Sequence, residues 1–480
     1  MAHVDVVVVG GGSSGGVVAS RLTEDPSRTV LLLEAGPDFP DELDFPPSFV
    51  TGGSQFHNQV VNEHDWGYWS EPLTAGGGRS IRLPRGRMVG GSSMTNFTQC
   101  VRGAPSDFER WEREGAAGWG YEDIRPFYER VETTGINIKR HPRHSWQPIQ
   151  EAFYDGFVEL GYREVEDMNA PESWRGVVGQ MPQNRLNEVR GGTLVTYLRA
   201  ARGRENLEIR GNALVERVLF DGTRATGVRY VDEGGRPQEV TADLVVISAG
   251  AYNSPTILLR SGLGPADELS GLGIDTLVDL PTGRSLFDHG AFFFELDAPD
   301  LTEVRSPAGA NFSREPGNRW MAMAASLDEA SGTCLVCYVL ASGDAPGAVT
   351  LNSIDPTVAP TLRHDYDLTG AEDTLTTLQA LMETKALAGR ATMRDRGRPL
   401  GEIIAERLGT AYHPVGTCGI GRVVDPELNV LGTEGLKVVD ASVFPTHVSN
   451  NPNLTCYMIG ERAASLIKGE PLTSTAAATG

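Results

Sequence analysis

Cysteine is scarce. Cys100, Cys334, Cys337, Cys418 and Cys456 are the only five in 480 residues, odd in number and scattered. Such a set excludes a disulfide-stapled fold and fits a reducing compartment. Cys334 and Cys337 have C-x-x-C spacing, but they sit in an apolar, strand-like run with no second pair, so they read as small core residues. Lysine is confined to Lys139, Lys385, Lys437 and Lys468, and with 42 basic against 63 acidic residues the formal net charge is -21. No basic stripe offsets this, which excludes nucleic acid and anionic lipid as partners. No apolar run reaches the length of a membrane span, and a strand pattern begins at Val4, leaving no room for a secretory leader. The expectation is a cytoplasmic protein with no integral membrane segment. Metal ligands are also lacking: His141 and His144 lie three apart, but no acid or cysteine completes a set, so they read as surface histidines. His3, His57, His64 and His364 read as structural.

What is present starts at the N-terminus. Val4 to Val9 is a β-branched run of the kind buried in parallel sheets, and Gly10-Gly11-Gly12-Ser13-Ser14-Gly15 follows as G-x-G-x-x-G. Residues from Gly16 to Leu22 have helical spacing, and a second apolar run, Thr29 to Leu33, stops at Glu34. In this arrangement Gly10 permits the tight turn, Gly12 lets a pyrophosphate approach the backbone, and Gly15 lets helix and strand pack closely. The helix N-terminus, at Ser13 and Ser14, offers N–H groups to phosphate. Glu34, with Ala35 after it, can accept hydrogen bonds from ribose hydroxyls. A glycine-rich turn occurs in many α/β domains, but strand, turn, helix, strand and acid in register point to a dinucleotide site. NAD and FAD stay open here, and Glu34 argues against a 2′-phosphate.

A second glycine-rich stretch runs from Leu83 to Asn96. Arg85, Val89, Gly91, Ser92, Met94, Thr95 and Asn96 are its candidate cofactor contacts, with Asn96 read as lying early in a helix. Between the two stretches, residues 37–80 lack any sustained period and read as an arm laid on the first domain, with Asp65 to Trp69 aromatic enough to pack. Leu244 to Gly250 is another apolar run ending in glycine, which places Ala249 and Gly250 at a cofactor turn. The chain there resembles the glucose-methanol-choline (GMC) family of flavin alcohol oxidoreductases. Its first signature resembles Arg85 to Asn96; its second resembles Gly250-Ala251-Tyr252-Asn253-Ser254-Pro255 with Ser261-Gly262-Leu263-Gly264. Leu280 to His289 resembles a further family motif, with departures at Thr282 and Ser285.

The resemblance implies FAD as cofactor, Val215 beside the adenine, and Asp440 and Ala441 near the ring, although Asp440 equally suits a turn cap. Some relatives tether flavin through a histidine near the position of Thr95. Threonine cannot form that bond, so the FAD is expected to be non-covalent. Alcohol oxidation needs a proton acceptor, a group that orients the oxygen, and a hydride acceptor such as flavin N5. His413, held by Pro414 and Gly416 on a rigid loop, fits the first; Asn451 fits the second, as the family's His-Asn pair. His413 would then be the sole base, titrating near neutrality if unperturbed. Asn451, Pro452 and Asn453 open a final helix running to about Ile467, whose N-terminus suits the negative charge of a reduced ring. The implied partners are a small alcohol and an acceptor: oxygen, quinone or another carrier. The short actinobacterial branch that reoxidises the peptide-derived carrier mycofactocin is similar as well, and the family also contains non-redox lyases.

The predicted fold class is α/β. A discontinuous Rossmann-like FAD-binding domain spans 1–130, 186–280 and 405–480. A second, α+β substrate domain built on an antiparallel sheet spans 131–185 and 281–404. Its predicted elements are helices at Ile149 to Leu160 and Glu372 to Leu387, with strands at Ala291 to Leu296, Cys334 to Leu340 and Ala348 to Leu351.

Overall fold

Val6, Val7, Val8 and Val9 are all buried, as a strand covered on both faces requires. The computed structural model describes residues 3–46, 64–170, 173–186, 189–302, 311–314, 320–328, 330–340 and 345–470. Strand His3–Val9 is central to a seven-stranded sheet, parallel to Val30–Leu33 on one side and to Pro237–Ile247 on the other. Leu207–Arg210 extends it beyond Val30–Leu33, and Leu436–Val438 pairs in parallel with Pro237–Ile247. Two antiparallel strands, Arg224–Val231 and Leu214–Asp221, complete it. The sheet thus gathers strands from the start, middle and end of the chain.

Helices Ser13–Leu22 and Asn453–Lys468 pack together on this sheet. Glu461, buried on the second helix, takes three hydrogen bonds from Arg21 and one from Tyr197 Oη at 2.6 Å. A second core lies over a sheet of eight strands in which Gly290–Asp297, Thr333–Leu340, Trp320–Asp328 and Asn311–Arg314 run antiparallel. Arg163–Val165 joins its edge in parallel beside Val177–Gln180. Helix Pro148–Glu159 covers one face through Phe153 and Phe157, the latter against Trp320. Leu73, from the arm, belongs to this second core.

Several local expectations need correction. Ala348–Thr350 pairs with Thr361–Arg363 in a separate hairpin, not with the large sheet. The helix expected over Glu372 to Leu387 is Ala371–Met382, because the chain turns at Glu383. From Gly191 to Leu198, where the sequence pattern has the chain entering a helix, a 3₁₀ turn at Thr193–Val195 comes first and the short helix begins at Tyr197–Ala201. Trp66 and Tyr68 stack, but Trp69 is 56% exposed, since alternate residues of a strand face opposite ways. His57 lies outside the described residues. His364 is buried, as a structural histidine would be, and His144 is exposed. All five cysteines are buried and no disulfide joins any of them. Among the described residues no group of side chains could hold a metal ion, and no helix is long and apolar enough to cross a membrane.

Candidate active site

Gly10 has φ +98°, and a Cβ there would meet Ser248 O at 2.4 Å. At Gly15 a Cβ would come within 2.0 Å of Gly10 O, so this residue sets the helix-to-strand packing. A Cβ on Gly12 would meet nothing within 4 Å and would enter a cavity of about 450 Å³ that Gly12 lines. The turn is therefore closed by protein at two glycines and left open at the middle one.

That cavity is also lined by Gly10, Ser13, Ser14, Glu34, Ala35, Arg85, Gly91, Ser92, Thr95, Asn96, Val215, Ala249, Gly250, Asp440, Ala441, His413, Asn451, Pro452 and Asn453. Segments some 400 residues apart thus meet on one cavity. Gly15, Val89 and Met94 lie off the lining; Val89 and Met94 are fully buried in the first core. Asn96 does not open a helix. It follows the 3₁₀ turn Gly91–Met94, and its Oδ1 accepts from Thr98 N–H at 2.8 Å.

Glu34 Oε2 accepts from Gly11 N–H at 2.9 Å and Oε1 from Gly36 N–H at 3.0 Å, leaving each oxygen able to accept once more. Burial raises its pKa to about 7, against the lowering pull of those two amides. Asp440 is both a turn cap and a lining residue: it accepts from Ser442 N–H and Gly250 N–H, each at 2.8 Å, and from Ser254 Oγ at 2.5 Å.

At the other end, His413 follows Tyr412, whose φ of +65° is unusual for a side chain with a Cβ. Tyr412 is pinned there by N–H donation to Thr410 Oγ1 at 2.6 Å and by Arg85 donating to its carbonyl at 2.8 Å. The His413 N–H donates to Asp288 Oδ1 at 2.9 Å, and its carbonyl accepts from His447 Nε2 at 2.7 Å. His413 Nδ1 lies 3.0 Å from His289 Nδ1, which leaves Nε2 as the ring nitrogen available to the cavity. The His413 imidazole is not in the unperturbed setting that near-neutral titration requires. Burial, with His447 and Arg85 adding to it and Asp288 opposing, lowers its pKa to about 3. Desolvation works against ionisation of Asp288 too, yet the hydrogen bond and charge of His364, with Thr410, bring its pKa down to about 2.

Asn451 Nδ2 donates to Gln99 O at 2.8 Å, so one of its two hydrogens is committed to the main chain. Its Oδ1 and the Nδ2 of Asn453 are buried with no protein partner. Buried polar atoms left unpaired cost about 1–3 kcal/mol each, so a polar ligand that met these two would stabilise the site. Together with the open face of Gly12 and the free acceptor capacity of Glu34, these atoms fit a dinucleotide. Sequence reasoning missed Gln99, Phe97 and Tyr412 at this end, and Trp66, Tyr68, Arg260 and residues 356–360 elsewhere on the lining. It also missed the roles of Asp288 and His289, although the motif ending in them is visible.

A parallel sheet, a glycine turn at the end of its central strand and an acid ending the next strand define an α/β dinucleotide-binding protein. Known proteins narrow this. Family models described as GMC oxidoreductase match residues 4–291 and 343–460. An oxygen-dependent choline dehydrogenase of Rhizobium rhizogenes is 31% identical, aligned over 97% of this chain and 96% of its own length. The mitochondrial choline dehydrogenase of Homo sapiens is also 31% identical, over 97% and 90%. The crystal structure of pyridoxine 4-oxidase from Mesorbium loti superposes with TM-score 0.87 at 26% identity, covering 98% of this chain and 100% of that one. The chain belongs to the GMC oxidoreductase family. It is an FAD-dependent alcohol oxidoreductase.

Proposed function

We propose that the protein oxidises a small uncharged alcohol to its carbonyl, with His413 as the base and Asn451 as the group that orients the reacting oxygen. Bound FAD supplies the hydride acceptor. Ser13, Ser14 and the glycine turn would hold its pyrophosphate, Glu34 its ribose, Val215 its adenine, and the segments at Arg85 to Asn96, Ala249–Gly250 and Asp440 to Ala441 its remaining length. The attachment is non-covalent, since Thr95 offers no nucleophile of the kind a histidine does.

The observation that carries this reading is the placement of His413. Its main-chain N–H is held by Asp288 and its Nδ1 by His289, while the residue lines the same cavity as Asn451, which leaves Nε2 as the ring nitrogen for a substrate. A substrate O–H placed against Nε2 breaks as the Nε2–H bond forms. The second hydrogen of Asn451 Nδ2 remains for the oxygen. His413→Ala is expected to slow anaerobic flavin reduction by about 100-fold or more, the scale for loss of a general base. Reduction at the wild-type rate would refute the assignment.

Phe97, Gln99, Ala411, Tyr412 and Pro414 line the cavity with His413 and Asn451, and the charged lining side chain bonded to this segment is the cation Arg85, which donates to the Tyr412 carbonyl. A guanidinium there supports an uncharged alcohol over a cation of the choline type. Comparing kcat/KM for a benzylic alcohol and for choline tests it, and a preference for choline would overturn it. The acceptor in this reading is oxygen, a quinone or another carrier, mycofactocin among the last. A cytoplasmic location belongs to it too, supported by five buried cysteines that no disulfide joins.

A further inference from the structure

Asp288 and His289 are consecutive residues at the entry to strand Gly290–Asp297, and both hold His413. Asp288 takes its main-chain N–H; His289 meets its ring, Nδ1 to Nδ1 at 3.0 Å, with the rings edge to face at 82°. On its other side His289 stacks on His447 with centroids 3.6 Å apart. His289 and His447 are both buried, so neither of these stacked rings is free to turn into solvent.

Two imidazole nitrogens at this distance share one hydrogen, and one ring must accept. If His289 donates, the proton of neutral His413 sits on Nε2 and faces the cavity, where it cannot act as a base. If His289 accepts, His413 carries its proton on Nδ1 and Nε2 is bare. We propose that His289 is a positioning residue that accepts the His413 Nδ1–H and so keeps Nε2 unprotonated toward the substrate. This rests on the reading of His413 as the base.

The arrangement also favours the step that follows. When the substrate proton arrives on Nε2, His413 becomes an imidazolium and its Nδ1–H stays in place. The hydrogen bond to His289 then becomes charge-assisted and stronger, so it stabilises the charged state more than the neutral one. Asp288, ionised and bonded to the same residue, adds a favourable charge.

The test uses the FAD-loaded enzyme and two substitutions. His289→Leu removes the acceptor; His289→Asn places Oδ1 near the position of Nδ1, able to accept but unable to take a proton. His289→Leu is expected to slow anaerobic flavin reduction about 10- to 100-fold, the range for removing a group that orients another. His289→Asn is expected to restore most of the wild-type rate. Nitrogen-15 spectra of the histidine rings supply a readout independent of rate: His413 should show Nδ1 protonated and Nε2 bare in the wild type and in His289→Asn, and lose that pattern in His289→Leu. A wild-type His413 protonated at Nε2 would overturn the proposal, as would a His289→Asn enzyme as slow as His289→Leu. An unimpaired His413→Ala enzyme would instead sink the base assignment while leaving the ring pattern to be read on its own.

Discussion

Desolvation holds the His413 imidazole well below its ordinary pKa, and that has a consequence for stability as well as for chemistry. Its pKa is about 3 in the folded protein against 6.5 ordinarily. Between those values the unfolded chain binds the extra proton and the folded chain does not, so stability rises with pH through this window. The contribution is complete above about pH 6.5 and is lost as pH falls toward 3. Replacing His413 by Gln should flatten the dependence of the denaturation midpoint on pH over this range, and an unchanged slope would show that the ring is not neutral when folded. The identity of this residue was legible from its setting, Tyr412-His413-Pro414 before Gly416. Its partners were not. His289 is 124 positions away and Asp288 125, and no local period or spacing links residues that only the packing of two cores brings together. The depressed pKa was invisible for the same reason: desolvation is a property of the assembled site.

At the scale of elements, the first strand, turn, helix and second strand were readable almost residue by residue, because each is specified by neighbours in sequence. The three glycines of the turn do different work, and substitution separates them. Gly15→Ala forces a Cβ to within 2.0 Å of Gly10 O and should lower the stability of the protein with or without FAD. Gly12→Ala meets no protein atom within 4 Å, so it should leave the apoprotein's melting temperature unchanged while weakening FAD binding. Equal losses of fold stability in both variants would contradict the assignment of Gly12 to the ligand. Elements set by tertiary context were harder. The hairpin Ala348–Thr350 with Thr361–Arg363 has the alternation of a sheet strand, yet it forms a two-stranded sheet of its own and residues 356–360 between its strands line the cavity. Asn96 follows a glycine-rich turn that has a helix-like composition, but Gly90 and Gly91 both take positive φ and the turn closes after Met94.

For the whole molecule, the α/β architecture and the discontinuity of the first sheet followed from apolar runs spread along the chain. What no single run reveals is that one cavity of about 450 Å³ is lined by Glu34 and Val215 and also by His413 and Asn451. A long ligand held in that cavity by many contacts needs no covalent tether. Acid precipitation of the purified enzyme should therefore leave the yellow colour in the supernatant, whereas colour in the pellet would show a covalent link. The central claim is that this cavity carries out redox chemistry on an alcohol, where other members of the family act as lyases. It is tested most directly by mixing the FAD-loaded enzyme with a neutral primary alcohol in the absence of oxygen and following the visible flavin absorbance. Stoichiometric bleaching with formation of the aldehyde is the predicted result. Turnover of a substrate with the flavin remaining oxidised throughout would contradict it.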